Sequence, residues 1–133
     1  MKEYKLNKGK NEIELILKNK ITKLEYMFYN CTKLKNIEAL KYLDTKEVNN
    51  FEGMFCNCSL LSDIKGLENW NVSNGYNFEG MFSVCSSLSD IKGLKYWNVS
   101  NGNYFQDIFS FCTTLSDIKG LESWNVSNGN NFS

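Results

Sequence analysis

The heptapeptide Leu-Ser-Asp-Ile-Lys-Gly-Leu occurs three times without a change, at 61–67, 88–94 and 115–121, and each copy begins 27 residues after the last. The period extends well beyond the string: Phe51, Phe78, Phe105 and Phe132 share it, as do Cys31, Cys58, Cys85 and Cys112, and Trp70, Trp97 and Trp124. A period in the range of roughly 20 to 50 residues marks a chain of supersecondary units, none of which can bury its apolar face without a neighbour. The prediction is a rod of stacked coils, a solenoid, with function on the stacked surface.

Within 78–104 the apolar residues are Phe78, Met81, Phe82, Cys85, Leu88, Ile91, Leu94, Trp97 and Val99. Met81, Phe82 and Cys85 stand at i, i+1 and i+4, which suits a short helical turn. Leu88-x-x-Ile91-x-Gly93 has the spacing with which a leucine-rich repeat enters its parallel strand, and a second short strand is expected to end at Phe78. Trp-Asn-Val-Ser-Asn-Gly turns the chain between them, with Asn74-Gly75, Asn101-Gly102 and Asn128-Gly129 expected to supply a positive φ. Gly66, Gly93 and Gly120 are expected to be small because the indoles of Trp70, Trp97 and Trp124 lie over or beside them; the first unit has Ala39 and Leu43 at these two places.

This pattern divides the chain into one solenoid domain, 1–133. Residues 1–23 form N-terminal cap strands, in which Ile13, Leu15 and Leu17 alternate with Glu12, Glu14 and Ile16. Repeats follow at 24–50, 51–77, 78–104 and 105–131, and 132–133 opens a further one. An apolar edge without a following coil is disfavoured in a free solenoid, so the expectation is that the chain continues in nature or that another molecule covers this edge.

Composition narrows the functional classes. With 42% hydrophobic residues the chain can build an elongated core. There is no Arg and no His, and net charge is zero, so the basic footprint of a nucleic-acid binder is missing. The charge is unevenly spread: residues 1–46 hold eleven Lys against six acids, a net of +5, and the remainder carries −5. No apolar run suits a membrane span, and the polar start does not resemble a secretory signal.

The string Leu43-Asp44-Thr45-Lys46-Glu47-Val48-Asn49-Asn50-Phe51-Glu52-Gly53-Met54-Phe55, then Cys58, Leu61 and Ile64, resembles the repeat of the BspA-like leucine-rich-repeat surface proteins. The resemblance runs from about Ile21 to the end. It implies a right-handed α/β repeat solenoid, with one or two short parallel strands and a short helical turn in each coil. It also implies a non-catalytic protein-binding or adhesion module of a larger surface protein, at the cell surface or secreted; were Met1 the native start, the chain would be cytoplasmic. Asn71, Asn98 and Asn125 depart from the family's Asp, Val72, Val99 and Val126 from its Thr, and Gly75, Gly102 and Gly129 from its Val.

The candidate partner-binding residues are the columns Asp63, Asp90, Asp117 and Lys65, Lys92, Lys119, expected on the outward strand face, together with Tyr96, Tyr104 and Phe111 among positions that differ between coils. The other varying positions are Asn69 and Ser123, Tyr76 and Asn103, Asn77, Ser83-Val84 and Ser110. The structural core is expected at Cys31, Cys58, Cys85, Cys112, Trp70, Trp97, Trp124, Phe78 and Phe82, the thiols forming a buried ladder and Cys56 an exposed, ordinary one. Asn-x-Ser/Thr occurs at Asn30, Asn57, Asn71, Asn98, Asn125 and Asn131; coils roughly 5 Å apart cannot all carry glycans at one corner, and a hydrogen-bonded ladder at Asn71, Asn98 and Asn125 is expected instead.

Catalysis finds no footing. Without His there is no Ser-His or Cys-His pair, and GxSxG, P-loop and GxGxxG signatures are missing. No zinc, calcium or cofactor pattern is present, so no cofactor is expected. The partner is expected to be a protein or glycan, without nucleic acid or membrane insertion. The alternative is a structural segment that stacks end to end through its C-terminal edge, helped by the +5 and −5 halves.

Overall fold

The structure, a computed structural model, describes residues 2–8, 11–17 and 20–132. At the N-terminus, strands β1 (Lys2–Lys8) and β2 (Asn11–Leu17) form an antiparallel hairpin with Lys2 opposite Leu17 and Lys8 opposite Asn11. β1 also pairs antiparallel with the short β3 (Leu34–Asn36), shifting register between Asn7 and Lys8, so the sheet order is β2-β1-β3. Within residues 1–23, expected as cap strands, this hairpin is set against the first repeat through β3.

The leucine-rich-repeat solenoid of parallel strands and helical turns is overturned. Among the described residues there is no α-helix, and the only sheet is this antiparallel one. Parallel pairing is confined to isolated single-residue bridges, chiefly the series Lys23, Asn50, Asn77, Tyr104 and Asn131, with one more between Asp63 and Asp90. The remaining regular structure is two five-residue 3-10 helices, Glu38–Tyr42 and Lys92–Tyr96.

Backbone conformation explains the outcome. The segments expected to be helical turns carry left-handed residues four apart: Tyr26 and Asn30, Gly53 and Asn57, Gly80 and Val84, Asp107 and Phe111, all at φ between 55° and 62°. A positive φ fits neither a right-handed helix nor a strand. It lets alternate amides point along the stack instead. Phe51, Gly53, Phe55 and Asn57 donate to the carbonyls of Asn77, Glu79, Met81 and Ser83 of the next unit at 2.8–2.9 Å, while Met54, Cys56 and Cys58 bond back three residues. Each unit is thus a string of turns tied to its neighbour by hydrogen bonds at every second residue.

Side chains 27 residues apart stack on one another. Phe28, Phe55, Phe82 and Phe109 form one ladder with centroids 5.5–5.7 Å apart. Phe51, Phe78, Phe105 and Phe132 form a second, and Trp70, Trp97 and Trp124 a third at 6.4 Å. Phe51, Phe55, Phe78 and Phe82 are fully buried, each side chain contributing about 1.5–3 kcal/mol of transfer free energy. Each indole N–H donates to a Leu carbonyl thirty residues earlier: Trp70 to Leu40, Trp97 to Leu67 and Trp124 to Leu94, at 2.8–2.9 Å. The indoles do not lie over the glycines. A Cβ on Gly66 would collide with the Ile37 carbonyl and Glu38 Cα, and one on Gly93 with the Glu68 and Ile64 side chains.

The corner at Asn-Gly also differs from expectation. Gly75, Gly102 and Gly129 have no positive φ; a Cβ there would meet the ring of Phe78, Phe105 or Phe132. Asn71, Asn98 and Asn125 form no ladder, because each turns its Oδ1 to the amide of its own Ser73, Ser100 or Ser127. The ladder belongs to Asn74, Asn101 and Asn128, whose Nδ2 atoms donate to the carbonyls of Lys46, Ser73 and Ser100 at 2.7–2.8 Å.

Candidate binding surface

The acidic column is committed to local structure. Asp63, Asp90 and Asp117 each accept the backbone N–H of Lys65, Lys92 and Lys119 at 2.9–3.0 Å, the short polar side chain closing a turn two residues on. Their strand is absent, so the outward strand face expected for these columns is replaced by a row of such turns. Lys65, Lys92 and Lys119 remain exposed, as do Asp90 and Asp117, and Asp63 is half-buried.

Of the aromatic candidates, Tyr96 is 67% exposed and Phe111 73%, while Tyr104 meets Tyr76 edge to face at 6.4 Å. Asn77, one of the varying positions, is buried in the bridge series. Tyr42 was not singled out by the sequence pattern, yet it is 62% exposed at the same corner as Tyr96. In both cases the preceding lysine places its Nζ about 5 Å from the ring centroid, Lys41 over Tyr42 and Lys95 over Tyr96.

These pairs belong to one of two corner types that alternate along the stack. Units 24–50 and 78–104 have Lys-Tyr before the Leu43 or Trp97 position and wind into the 3-10 helices. Units 51–77 and 105–131 have Glu68-Asn69 and Glu122-Ser123 there. In these, a Glu oxygen accepts the N–H of Gly66 at 2.8 Å or Gly120 at 2.6 Å, and the glycines take φ of +109° and +114°. Identical Ile-Lys-Gly-Leu strings therefore adopt two conformations, chosen by whether Glu or Lys follows. The left-handed glycine also rests on the start of the preceding 3-10 helix, since Gly120 would strike the Ile91 carbonyl and Lys92 Cα if it carried a Cβ. The alternation could have been found by comparing the residue after Gly-Leu, or after Ala39-Leu40 in the first unit.

Cys31, Cys58, Cys85 and Cys112 form a column of buried thiols, and Cys56, off the column, is half-buried. Each interior thiol donates to a carbonyl of the preceding unit: Cys58 to Phe28, Cys85 to Phe55 and Cys112 to Phe82, at 3.1–3.2 Å. Burial pushes the Cys85 thiol far up and the Cys112 thiol up, which keeps them protonated donors. Burial also raises Cys56, against an opposing hydrogen bond with Ser83.

The two ends of the stack differ. In the first unit Leu24, Phe28, Leu34, Ile37 and Leu40 are buried. In the last, Ile118 and Phe132 are exposed, and an apolar groove opens among Phe105, Ile108, Phe109, Leu121, Trp124, Val126 and Phe132. Among the described residues no group of His, Cys, Asp and Glu is arranged to hold a metal ion, and no helix is long and apolar enough to cross a membrane.

Residues 22–133 match the model of a family described as Mycoplasma protein of unknown function, DUF285, and the chain belongs to that family. No curated protein and no solved structure matches the sequence.

Proposed function

From membership of that family and the surface just described, we propose a non-catalytic binding module of the BspA-like surface-protein type, acting in adhesion at the cell surface or in secreted form. The observation that carries this proposal is the division of labour within each unit. Core positions repeat with almost no variation, whereas the exposed corner changes from Lys-Tyr to Glu-Asn to Lys-Tyr to Glu-Ser on a hydrogen-bonded frame. Exposed Tyr42 and Tyr96, each under a lysine, supply the rigid aromatic and cationic contacts from which binding hot spots are made. The partner is a protein or glycan on an opposing surface.

Bead-immobilised protein tested for attachment to cultured cells examines this directly. Replacing Tyr42 and Tyr96 together by Ala should lower attachment severalfold while leaving the thermal midpoint within a few degrees, because both rings are largely exposed. Equal attachment by the double variant would rule out this corner as the contact.

A second proposal, association through the end of the stack, is favoured by the open groove of the last unit, since contiguous exposed apolar surface marks interaction sites.

A further inference from the structure

The two Lys-Tyr corners and the Glu-Asn corner between them lie side by side along the stack. Parallel bridges join Lys23, Asn50, Asn77 and Tyr104 of successive units, so corners two units apart stand about 10 Å apart. Tyr42 and Tyr96 are exposed at that separation, each with a lysine Nζ about 5 Å from its ring centroid. Charge alternates with the same step, from Lys41 to Glu68 to Lys95. A cleft of about 340 Å³ opens between the first two corners, lined by Glu38, Lys41, Lys65, Gly66, Glu68 and Asn69. Glu68 is engaged there, since one of its oxygens accepts the Gly66 N–H at 2.8 Å. Glu38, Lys41, Lys65 and Asn69 are exposed to whatever enters.

We propose that these corners bind an extended acidic polysaccharide with a disaccharide repeat, in which a carboxylate-bearing sugar alternates with an amide-bearing one, laid along the stack. The inference rests on the first reading above, of this corner as the contact, and names its ligand. Every second sugar of such a chain presents the same groups, at an interval close to the two-unit step, so successive carboxylate-bearing sugars reach Tyr42 and Tyr96. At each corner the lysine ammonium pairs with the carboxylate in a charge-assisted hydrogen bond. The electron-rich face of the tyrosine takes the polarised C–H groups on one side of the pyranose, as it takes any positive edge. The sugar between them lies over the cleft, where Glu38 and Asn69 accept hydroxyl or amide protons and Lys65 donates. A peptide finds less to hold it. Strand addition needs a sheet edge and a docked helix needs an apolar groove. The only sheet among the described residues is the N-terminal one, and the cleft has no apolar side chain in its lining.

Isothermal titration of the full chain with three probes tests this: a hyaluronan octasaccharide, in which glucuronate and N-acetylglucosamine alternate; chitohexaose, which has the N-acetyl sugar without a carboxylate; and an oligoglutamate peptide. The octasaccharide should bind ~10-fold or more tightly than either of the others, and the advantage should shrink with added salt. Replacing Lys41 and Lys95 together by Gln should remove its preference over chitohexaose. Tyr42→Ala and Tyr96→Ala, made singly, should each lower octasaccharide affinity severalfold, because one chain spans both corners. Equal binding of chitohexaose would overturn the requirement for a carboxylate, and tighter binding of oligoglutamate would overturn the sugar in favour of an acidic peptide. An octasaccharide that ignores either tyrosine would overturn the two-corner placement. No octasaccharide binding at all would overturn the inference, and the attachment assay with the Tyr42 and Tyr96 double variant then shows separately whether the reading of this corner as the contact falls with it.

Discussion

Residues 88–94 and 115–121 are the same seven amino acids in two settings, and their burial differs almost completely. Ile91 is 1% exposed and Ile118 66%. Leu88 and Leu94 are fully buried, whereas Leu115 and Leu121 are half-buried. Backward contacts are alike in both: Trp97 and Trp124 each donate to the preceding unit's Leu carbonyl, and Cys85 and Cys112 each donate to a Phe carbonyl. Among the described residues no further unit packs on 105–131. Burial in this stack is therefore contributed from the C-terminal side, and the hydrogen bonds that fix register are made toward the N-terminal side as well. The first unit agrees, because unit 51–77 follows it and Ile37 is 1% exposed.

The most severe way to break this comparison is to remove the same ring from both settings. Trp97→Ala takes away a 3%-exposed indole stacked between two others, and should destabilise by ~3–5 kcal/mol through lost transfer energy and the cavity left behind. Trp124→Ala removes an indole stacked on one side only, and should cost clearly less. Urea unfolding of the two variants decides the matter: equal losses would mean that a following unit adds nothing to burial.

Next in size is the corner. Gly66 sits at φ +109° against backbone of the preceding unit, so Gly66→Ala combines a left-handed penalty of about 1–2 kcal/mol with a clash that no rotamer relieves. Gly93, in a 3-10 helix without positive φ, faces the side chains of Glu68 and Ile64 rather than backbone, and the equivalent place in the first unit is Ala39. Gly93→Ala should be the milder of the two in thermal denaturation. A reversed order would refute the two-corner description.

How much of this the sequence made legible follows from which forces it displays. The 27-residue period exposed the stacked Phe, Trp and Cys series, because side chains that pack on their own copies must recur at the repeat length. The backbone route between them was not legible. Leu88-x-x-Ile91 and Met81-Phe82-x-x-Cys85 have apolar spacings shared by strands, helices and strings of turns, and periodicity cannot separate these. The left-handed residues that decide the issue include Val84 and Phe111, which no propensity would place at positive φ. The roles of Asp63, Asp90 and Asp117 were missed for a similar reason, since a charge column looks alike whether it faces a partner or closes its own turn.

Val84 gives a smaller test with the opposite sign. A β-branched residue at φ 59° is strained, whereas Asn30 and Asn57 hold the same place in the two preceding units, where Asn57 Nδ2 also donates to Asn30 Oδ1. Val84→Asn should therefore raise stability by about 1 kcal/mol, seen as a higher urea midpoint at unchanged slope. A lower midpoint would show that packing by the Val side chain outweighs the backbone strain, and that this interior unit is held differently from its neighbours.

The smallest expected effect concerns the Glu-type corner at the open end. The Gly120 N–H, and then the Glu122 N–H, hold the Glu122 carboxyl below its ordinary range, although the group is solvent-exposed. A carboxylate whose folded pKa is depressed lends stability above its unfolded pKa and loses it as pH falls through the folded value. Glu122→Gln keeps an oxygen acceptor for Gly120 but does not titrate. The advantage of the native chain over this variant should thus be level near neutral pH and fade below about pH 4.3, the ordinary Glu value. Thermal midpoints of both proteins from about pH 3 to about pH 7 measure it. A difference that stays constant across that window would mean the Gly120 turn is set by backbone packing on Ile91 and Lys92, with the carboxylate charge contributing nothing.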